Sequence, residues 1–175
     1  MPDPPVTYWD SCLFISYIGA GPGASPDILG RLPSLDHLLE RARKREIRIL
    51  TSVVTRVEVA FTEAEKAAHL LTAETVARIE ELWSPSSPVE VVELYPHIAT
   101  RAFELVRASL GKPPLSAQDP PKTLSPMDAI HLATASHLKA TDVYTYDPIW
   151  PRFAGDIGCS IGPPPEPPAD QPSLF

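Results

Sequence analysis

The chain alternates short runs of β-branched and aromatic residues with longer stretches that carry apolar residues at helical spacing. The runs typical of strands are residues 6–10, 47–50, 89–94, 142–147 and 157–161. Strands separated by helical stretches predict right-handed crossovers and therefore a mostly parallel sheet of four or five strands, flanked by helices. The sequence thus predicts a three-layer α/β sandwich, and a chain of 175 residues is most simply one such domain.

The stretches that predict helices are residues 11–18, 34–46, 52–68, 72–83, 96–111 and 125–138. Residues 19–33 are rich in Gly and Pro and predict a loop, in which Pro22 and Pro26 oppose a helix start. A phosphate-binding loop is not indicated, because GxxxxGK[ST] is absent and GxGxxG is matched in part. The domain is predicted to span residues 1–162, and the proline-rich residues 163–175 to form an extended or disordered tail, with a docking peptide as the alternative.

The charge and composition exclude some classes of protein. A formal net charge of −7 argues against a protein that coats nucleic acid through its phosphates. The basic cluster from Arg41 to Arg48 is either a solvated helix end or an RNA-facing patch. Without a long apolar run or a secretory signal, no membrane span is expected, and Cys12 and Cys159 are interpreted as thiols in a reducing cytoplasm.

Four acidic residues are placed where an α/β sheet binds its ligands, beyond the carboxyl ends of the strands. Asp10 and Asp147 end two predicted strands, and Asp128 opens the helix before the strand of Asp147. Glu58 is predicted to lie two turns into the helix that follows the strand at 47–50. Each acid has a structural alternative: the three aspartates can cap or favour helix starts, and Glu58 can face water.

Taken together, the four acids favour a metal site. Carboxylates that converge without a cation repel one another and raise one another's pKa. A hard divalent ion removes that cost, and Mg²⁺ prefers oxygen ligands without a Cys or His cluster. The chemistry that such a site performs is hydrolysis of a phosphodiester.

The stretches that carry these acids resemble the PIN domain, and most closely the VapC-type toxin ribonucleases of toxin–antitoxin pairs. They are "YWDSCLFISYI" with Asp10, "ILTSVVTRVEVAF" with Glu58, "LSPMDAIHLATA" with Asp128 and "VYTYDPIWPRF" with Asp147. All four occur in the order of the family and span residues 6–153. The resemblance implies a PIN-like fold, with the loop at 19–33, the stretch 112–123 and the proline-rich tail as additions to the family core.

The resemblance also implies an activity. Asp10, Glu58, Asp128 and Asp147 would bind Mg²⁺ or Mn²⁺, and two hydroxyl residues, Ser11 and Thr145, would support a water or a phosphate oxygen. The protein would be a cytoplasmic endoribonuclease that leaves a 5′-phosphate and a 3′-hydroxyl, and the toxin of a type II toxin–antitoxin pair. Its expected partners are an RNA substrate, a cognate antitoxin and a second copy of itself. Lys112, Lys122, Arg152 and the basic cluster would have to supply the RNA path.

Other functions stay open at this point. The closest is a housekeeping nuclease in RNA processing, and another is an inactive PIN-like module that binds RNA or protein. A phosphatase with an aspartate nucleophile would need a second Asp where this chain has Cys12. His131 is either a packed helix residue or a base or donor near the acids, since it lies one turn after Asp128. Trp9 and Trp150 belong either to the core or to a surface that stacks on bases.

Overall fold

The computed structural model describes residues 3–20, 24–60, 73–114 and 123–168. Within these ranges the strands are β1 (Val6–Trp9), β2 (Arg48–Ser52), β3 (Val89–Val92), β4 (Asp142–Tyr144) and β5 (Ser160–Gly162). The longer helices are α1 (Ser11–Ile18), α2 (Pro26–Arg43), α4 (Ala73–Leu82), α5 (Pro96–Leu110) and α6 (Pro126–His137). Two helices of a single turn are α3 (Thr55–Glu58) and α7 (Ala154–Ile157), and a 3₁₀ helix covers Trp150–Phe153. None of the described helices is long and apolar enough to cross a membrane.

The five strands form one sheet in the order β3-β2-β1-β4-β5, and each neighbouring pair is parallel. The predicted α/β sandwich is therefore confirmed. β1 lies at the centre, between β2 and β4, and the strand order reverses at this point. In open α/β sheets this is where a crevice opens at the carboxyl edge.

Helices cover both faces of the sheet. Successive side chains of a strand point to opposite faces, so Tyr8 joins one core and Trp9 the other. The core around Tyr8 is formed largely by α5 and α6, and the core around Trp9 by α1, α2 and α4. Both Trp9 and Trp150 are completely buried, so the alternative in which their rings stack on bases is wrong.

The predicted loop at residues 19–33 is wrong in its second half. α2 begins at Pro26, with Ser25 as its N-cap, and it continues through Pro33 to Arg43. Proline is well accommodated at the first position of a helix because its missing N–H would have had no partner there. Pro26 thus starts the helix that it was expected to oppose; residues 21–23 lie outside the described ranges.

The helix predicted at residues 52–68 also differs from the structure, because its first residues belong to β2 and the described helix is short. Ser52 ends β2, and Val53 continues the strand geometry by donating its N–H to the Val92 carbonyl at 2.8 Å. β-branched residues favour such an extended start. The described helix is the single turn α3, so Glu58 lies at its last position rather than two turns inside a long helix. Residues 61–72 lie outside the described ranges.

The strand predicted at residues 157–161 is present, but it begins later and is shorter. Ile157 ends α7 instead of opening a strand, and Gly158 has a φ of 77° that reverses the chain before β5. Residues 163–168 contain no helix or strand, although Pro164 is buried. The separation of a tail from the domain after residue 162 stays a prediction, and residues 169–175 are not described.

Candidate functional site

Asp10 lies at the carboxyl end of the central strand, directly beside the reversal in strand order. It is the N-cap of α1, and its Oδ1 accepts the Ser11 N–H at 2.7 Å. Ser11 Oγ lies 3.3 Å from the same oxygen and donates to it. Asp10 is only 5% exposed, and both of its oxygens are oriented by protein donors. The cap proposed as an alternative role is therefore real, and it places the carboxylate at the crevice.

Thr145 joins Asp10 to Asp147. Its hydroxyl donates to Asp10 Oδ2 at 2.8 Å and accepts the Asp147 N–H at 3.0 Å. Asp147 Oδ1 in turn accepts the N–H of Ile149 at 2.7 Å. A single buried hydroxyl thus couples the ends of β1 and β4, which are the two strands on either side of the crevice.

Asp128 opens α6 in the way that the sequence predicts. Ser125 is the N-cap, its Oγ accepts the Asp128 N–H at 3.1 Å, and Asp128 Oδ2 accepts the Ser125 N–H at 3.2 Å. Burial raises the pKa of Asp128, and the charges of Asp10 and Asp147 raise it further. The three aspartates are therefore electrostatic neighbours, and their mutual repulsion disfavours the charged form of Asp128.

Glu58 is joined to α6 through His131. The imidazole is 1% exposed, and its Nε2 lies 2.6 Å from Glu58 Oε2. Its Nδ1 lies 2.6 Å from the hydroxyl of Tyr8, which accepts the Ser52 N–H at 3.1 Å. His131 is thus both a packed helix residue and a partner of a candidate metal ligand, so the two interpretations of it are combined.

The pKa of Tyr8 is influenced by candidate ligands on two different elements, Asp10 after β1 and Glu58 on α3. Burial raises the pKa of Tyr8 well above its ordinary value, and the charges of Asp10 and Glu58 contribute to this rise. Tyr8 was not identified from the sequence. The sequence contains no signal for it beyond its place in β1, since only the pleat of the strand decides that Tyr8 faces α6.

Cys12 lies against the site but does not join the candidate ligands. Its Sγ is 3.6 Å from Thr145 Oγ1 and accepts the Tyr146 N–H at 3.3 Å. Burial, together with the charge of Asp10, raises the pKa of this thiol, so it stays protonated at neutral pH. Because a thiolate is the form that binds metal, the donors at the crevice remain carboxylate and hydroxyl oxygens.

These donors fit a hard divalent cation such as Mg²⁺ or Mn²⁺ by their chemistry. In the arrangement described, each carboxylate is turned toward a hydrogen-bond donor of the protein. Among the described residues, no three Asp, Glu, His or Cys side chains are close enough to surround one ion. The assignment of Asp10, Glu58, Asp128 and Asp147 as metal ligands, and of Ser11 and Thr145 as supporting residues, therefore stays a prediction.

The basic cluster from Arg41 to Arg48 does not lie at the carboxyl ends of the strands, where the aspartates are; Lys122 lies outside the described residues. This cluster joins the end of α2 to the start of β2. It therefore lies at the amino ends of the strands, whereas Asp10 lies at their carboxyl ends. Its members form ion pairs, among them Arg48 with Glu90 at 2.6 Å and Lys44 with Glu40 at 3.4 Å. This placement favours the solvated helix end over the RNA-facing patch.

One arginine that the sequence did not point to lies over Tyr146, the residue before Asp147. The guanidinium of Arg31 is 4.1 Å from the ring centre of Tyr146, the neighbour of Asp147, and it donates to Ser16 Oγ at 3.1 Å. It also pairs with Asp27 at 2.6 Å. Arg31 was missed because residues 26–33 were interpreted as a loop.

Three solved structures have a fold similar to that of this chain. VapC20 of Mycobacterium tuberculosis, described as a toxin that cleaves the sarcin-ricin loop, has 14% identity and a TM-score of 0.53, with 82% of this chain and 92% of that chain covered. VapBC2 of Rickettsia felis, bound to a DNA fragment from its promoter, has 13% identity and a TM-score of 0.58, with 89% and 96% covered. FitAB bound to a DNA fragment has 15% identity and a TM-score of 0.55, with 94% and 99% covered.

The family comparison agrees with the fold. No curated protein matches the sequence. The family model described as "PIN domain" matches residues 31–156, a range that contains Glu58, Asp128 and Asp147 and leaves Asp10 outside. This range is more than half of the chain, and the chain therefore belongs to the PIN domain family.

Proposed function

We propose that this protein is a metal-dependent endoribonuclease and the toxin of a type II toxin–antitoxin pair. The observation that carries the proposal is the group of three aspartates at the reversal in strand order. Asp10 and Asp147 share the hydroxyl of Thr145, and both raise the pKa of Asp128. Such repulsion costs stability unless a cation offsets it, and PIN domain membership and the similarity to VapC20 agree with a nuclease.

Each residue of the site has a distinct role in this proposal. Asp10, Glu58, Asp128 and Asp147 bind Mg²⁺ or Mn²⁺, and a bound ion stabilises the charge that develops on the phosphate. Ser11 and Thr145 orient the oxygens of Asp10 through the hydrogen bonds described above. Thr145 also fixes the backbone of Asp147, so that the two carboxylates keep their separation.

The proposed substrate is RNA, cleaved by in-line attack of water to leave a 5′-phosphate and a 3′-hydroxyl. The crevice is acidic, so the approach of a phosphate backbone needs a cation nearby. Arg31 is the residue that we expect to supply it, since its guanidinium lies over the ring of Tyr146, the neighbour of Asp147. A net charge of −7 disfavours RNA over most of the surface, because the phosphates are repelled. In this proposal RNA therefore binds at the crevice and not over the whole surface.

The proposed partners are a cognate antitoxin and a second copy of the chain. The similarity to the structures of VapBC2 and FitAB supports an antitoxin. We expect a segment of it to cover the acidic crevice, and the chain to be a homodimer when its mass is measured in solution by light scattering. A monomer at all concentrations would contradict the homodimer.

Cleavage of RNA by the purified chain tests the activity. The chain, separated from any partner that copurifies, is incubated with total RNA and Mg²⁺ or Mn²⁺, with and without EDTA. We expect discrete fragments that both EDTA and Asp10→Asn abolish. Asp142→Asn is the matched control, because Asp142 opens β4 at the opposite edge of the sheet from Asp147. Intact RNA, from a folded chain whose unfolding temperature does not respond to either metal, would contradict the proposal.

Expression in a bacterial host separates a toxin from a housekeeping nuclease. We expect growth arrest when the chain is expressed alone and no arrest with Asp10→Asn at the same protein level. Normal growth, combined with metal-dependent cleavage in vitro, would favour the RNA-processing nuclease.

A further inference from the structure

We propose that His131 and Tyr8 are positioning residues that orient the carboxylate of Glu58 for the metal ion. The inference rests on the proposed function, because it concerns the same site. It adds Tyr8, which the sequence did not indicate, and it gives a specific role to His131, which the sequence placed near the acids. It also explains how a carboxylate on a helix of a single turn becomes a precise ligand.

The hydrogen-bond chain runs from β2 through β1 to α6 and ends at α3. The Ser52 N–H donates to the Tyr8 hydroxyl at 3.1 Å, and that hydroxyl lies 2.6 Å from His131 Nδ1. His131 Nε2 lies 2.6 Å from Glu58 Oε2. Tyr8 and Ser52 are completely buried and His131 is 1% exposed, so solvent does not compete for the first three members.

The proposed positioning role assigns one direction to each hydrogen bond in this chain, with Glu58 as the final acceptor. A backbone N–H can only donate, so the Tyr8 oxygen accepts from Ser52. In this arrangement the Tyr8 hydroxyl donates its own proton to His131 Nδ1, and the ring proton of His131 is on Nε2. That proton is donated to Glu58. Each polar group of the chain then has a partner, and Glu58 Oε2 is held at a fixed place.

Glu58 needs such support because its own element is weak. α3 has four residues, and Glu58 is the last of them. One helical turn gains too few hydrogen bonds to be stable by itself. Its side chain is 24% exposed and has several rotatable bonds. The hydrogen bond from His131 fixes it to α6, the helix that also carries Asp128 one turn earlier, so the two acids keep a constant relation.

Titration of the metal-free chain with Mn²⁺, followed by electron paramagnetic resonance of the unbound ion, measures the effect. Groups that orient metal ligands change metal affinity by about 10–100-fold when they are removed. We expect His131→Ala to weaken Mn²⁺ binding by that amount, and Tyr8→Phe to weaken it less. His131→Gln should restore part of the affinity, since its amide N–H can donate to Glu58. His137→Gln is the control, at the exposed end of the same helix.

Nuclear magnetic resonance of the histidine rings gives a readout that needs no metal. We expect His131 to carry its proton on Nε2, protected from exchange, and Glu58→Gln to shift this signal. A ring that carries its proton on Nδ1 and none on Nε2 would overturn the inference, even if His131→Ala failed to fold. Mn²⁺ affinity that is unchanged in a folded His131→Ala would overturn the inference alone. A chain without substitutions that binds no Mn²⁺ would overturn it together with the proposed function.

Discussion

Thr145 shows how much one hydroxyl contributes to this site. It is 2% exposed, and it is both the donor to Asp10 Oδ2 and the acceptor of the Asp147 N–H. Cys12 Sγ lies 3.6 Å from the hydroxyl, which is therefore in contact with three polar groups of the protein. Its loss therefore leaves two polar groups without a partner in a buried place.

Thr145→Val removes these hydrogen bonds and keeps the shape of the side chain. An unsatisfied buried polar group costs about 1–3 kcal/mol, so we expect the free energy of unfolding to fall by about that amount. Urea denaturation measures the change. Thr145→Ser keeps the hydroxyl and is expected to lose much less. If Thr145→Val were as stable as Thr145→Ser, the hydroxyl would not be the link between the two strands.

Asp128 gives a prediction for the dependence of stability on pH. Its pKa is raised in the folded state by burial and by Asp10 and Asp147, so the folded chain binds the proton more tightly than the unfolded chain. The protonated carboxyl of Asp128 stabilises the folded state relative to the unfolded state. This contribution is lost as the pH rises from 3.8, the ordinary pKa of an aspartate, through the raised pKa of the folded state. We expect Asp128→Asn to unfold at a higher temperature than the unsubstituted chain at pH 7, with the difference vanishing below pH 3.8.

A divalent cation provides the control for Asp128. Mn²⁺ should raise the unfolding temperature of the unsubstituted chain, because it offsets the repulsion among the aspartates. The same addition should change Asp128→Asn much less. Equal stability of the two chains at pH 7 without metal would mean that the aspartates do not repel one another.

The places of Asp10, Asp128 and Asp147 were predictable from the sequence because strand ends and helix starts can be read there. The place of Glu58 at the end of a single turn was not. Asp10 follows a β-rich run, and Ser125 with Asp128 has the spacing of a capping box that the structure contains. Ser11, Thr145 and His131 were also named from the sequence, but the hydrogen-bond chain that reaches Glu58 was not predictable. Tyr8 and His131 are 123 positions apart, and nothing local in the sequence indicates that they meet.

At the scale of elements, α2 shows where sequence patterns compete. Ser25, Pro26 and Asp27 are good signals for a helix start, as cap, first residue and acid of the first turn. The density of Gly and Pro before them favoured a loop instead. Burial of Leu35, Leu38 and other apolar residues of α2 against the sheet stabilises the whole helix, in spite of Pro33.

The start of α6 can be tested through its cap. Ser125→Ala removes the oxygen that accepts the Asp128 N–H, and loss of such a cap costs about 1 kcal/mol. We expect the free energy of unfolding to fall by that amount in urea denaturation. Ser125 is exposed, so the substitution leaves the core unchanged, and Ser125→Thr is the matched control because it keeps an acceptor. A loss equal in both variants would show that the hydroxyl is not the cause.

At the scale of the whole molecule, the alternation of strands and helices was sufficient to predict a parallel sheet. The order β3-β2-β1-β4-β5 was not predictable, because the sequence does not show on which side of β1 the strand after β3 is added. That choice places Asp147 beside Asp10. The sequence thus identifies residues that belong at the carboxyl edge, while the crossover decides which of them become neighbours.

The same topology predicts which cations matter for RNA. Arg43, Lys44 and Arg45 lie at the amino end of β2, and a strand of five residues spans about 13 Å. Surface charges farther apart than about 8 Å are largely screened at physiological salt, so replacing all three with Gln should change the rate of RNA cleavage by less than about twofold. Kinetic assays on one RNA substrate at constant ionic strength measure this rate.

Arg31→Gln makes the opposite prediction, because Arg31 lies beside Tyr146 at the carboxyl edge. We expect it to raise KM for RNA with little change in kcat, since the guanidinium touches none of the candidate metal ligands in the described contacts. The paired comparison decides between two RNA paths. If the triple substitution raised KM and Arg31→Gln did not, RNA would cross the amino edge, and an acidic chain would bind it through its basic cluster after all.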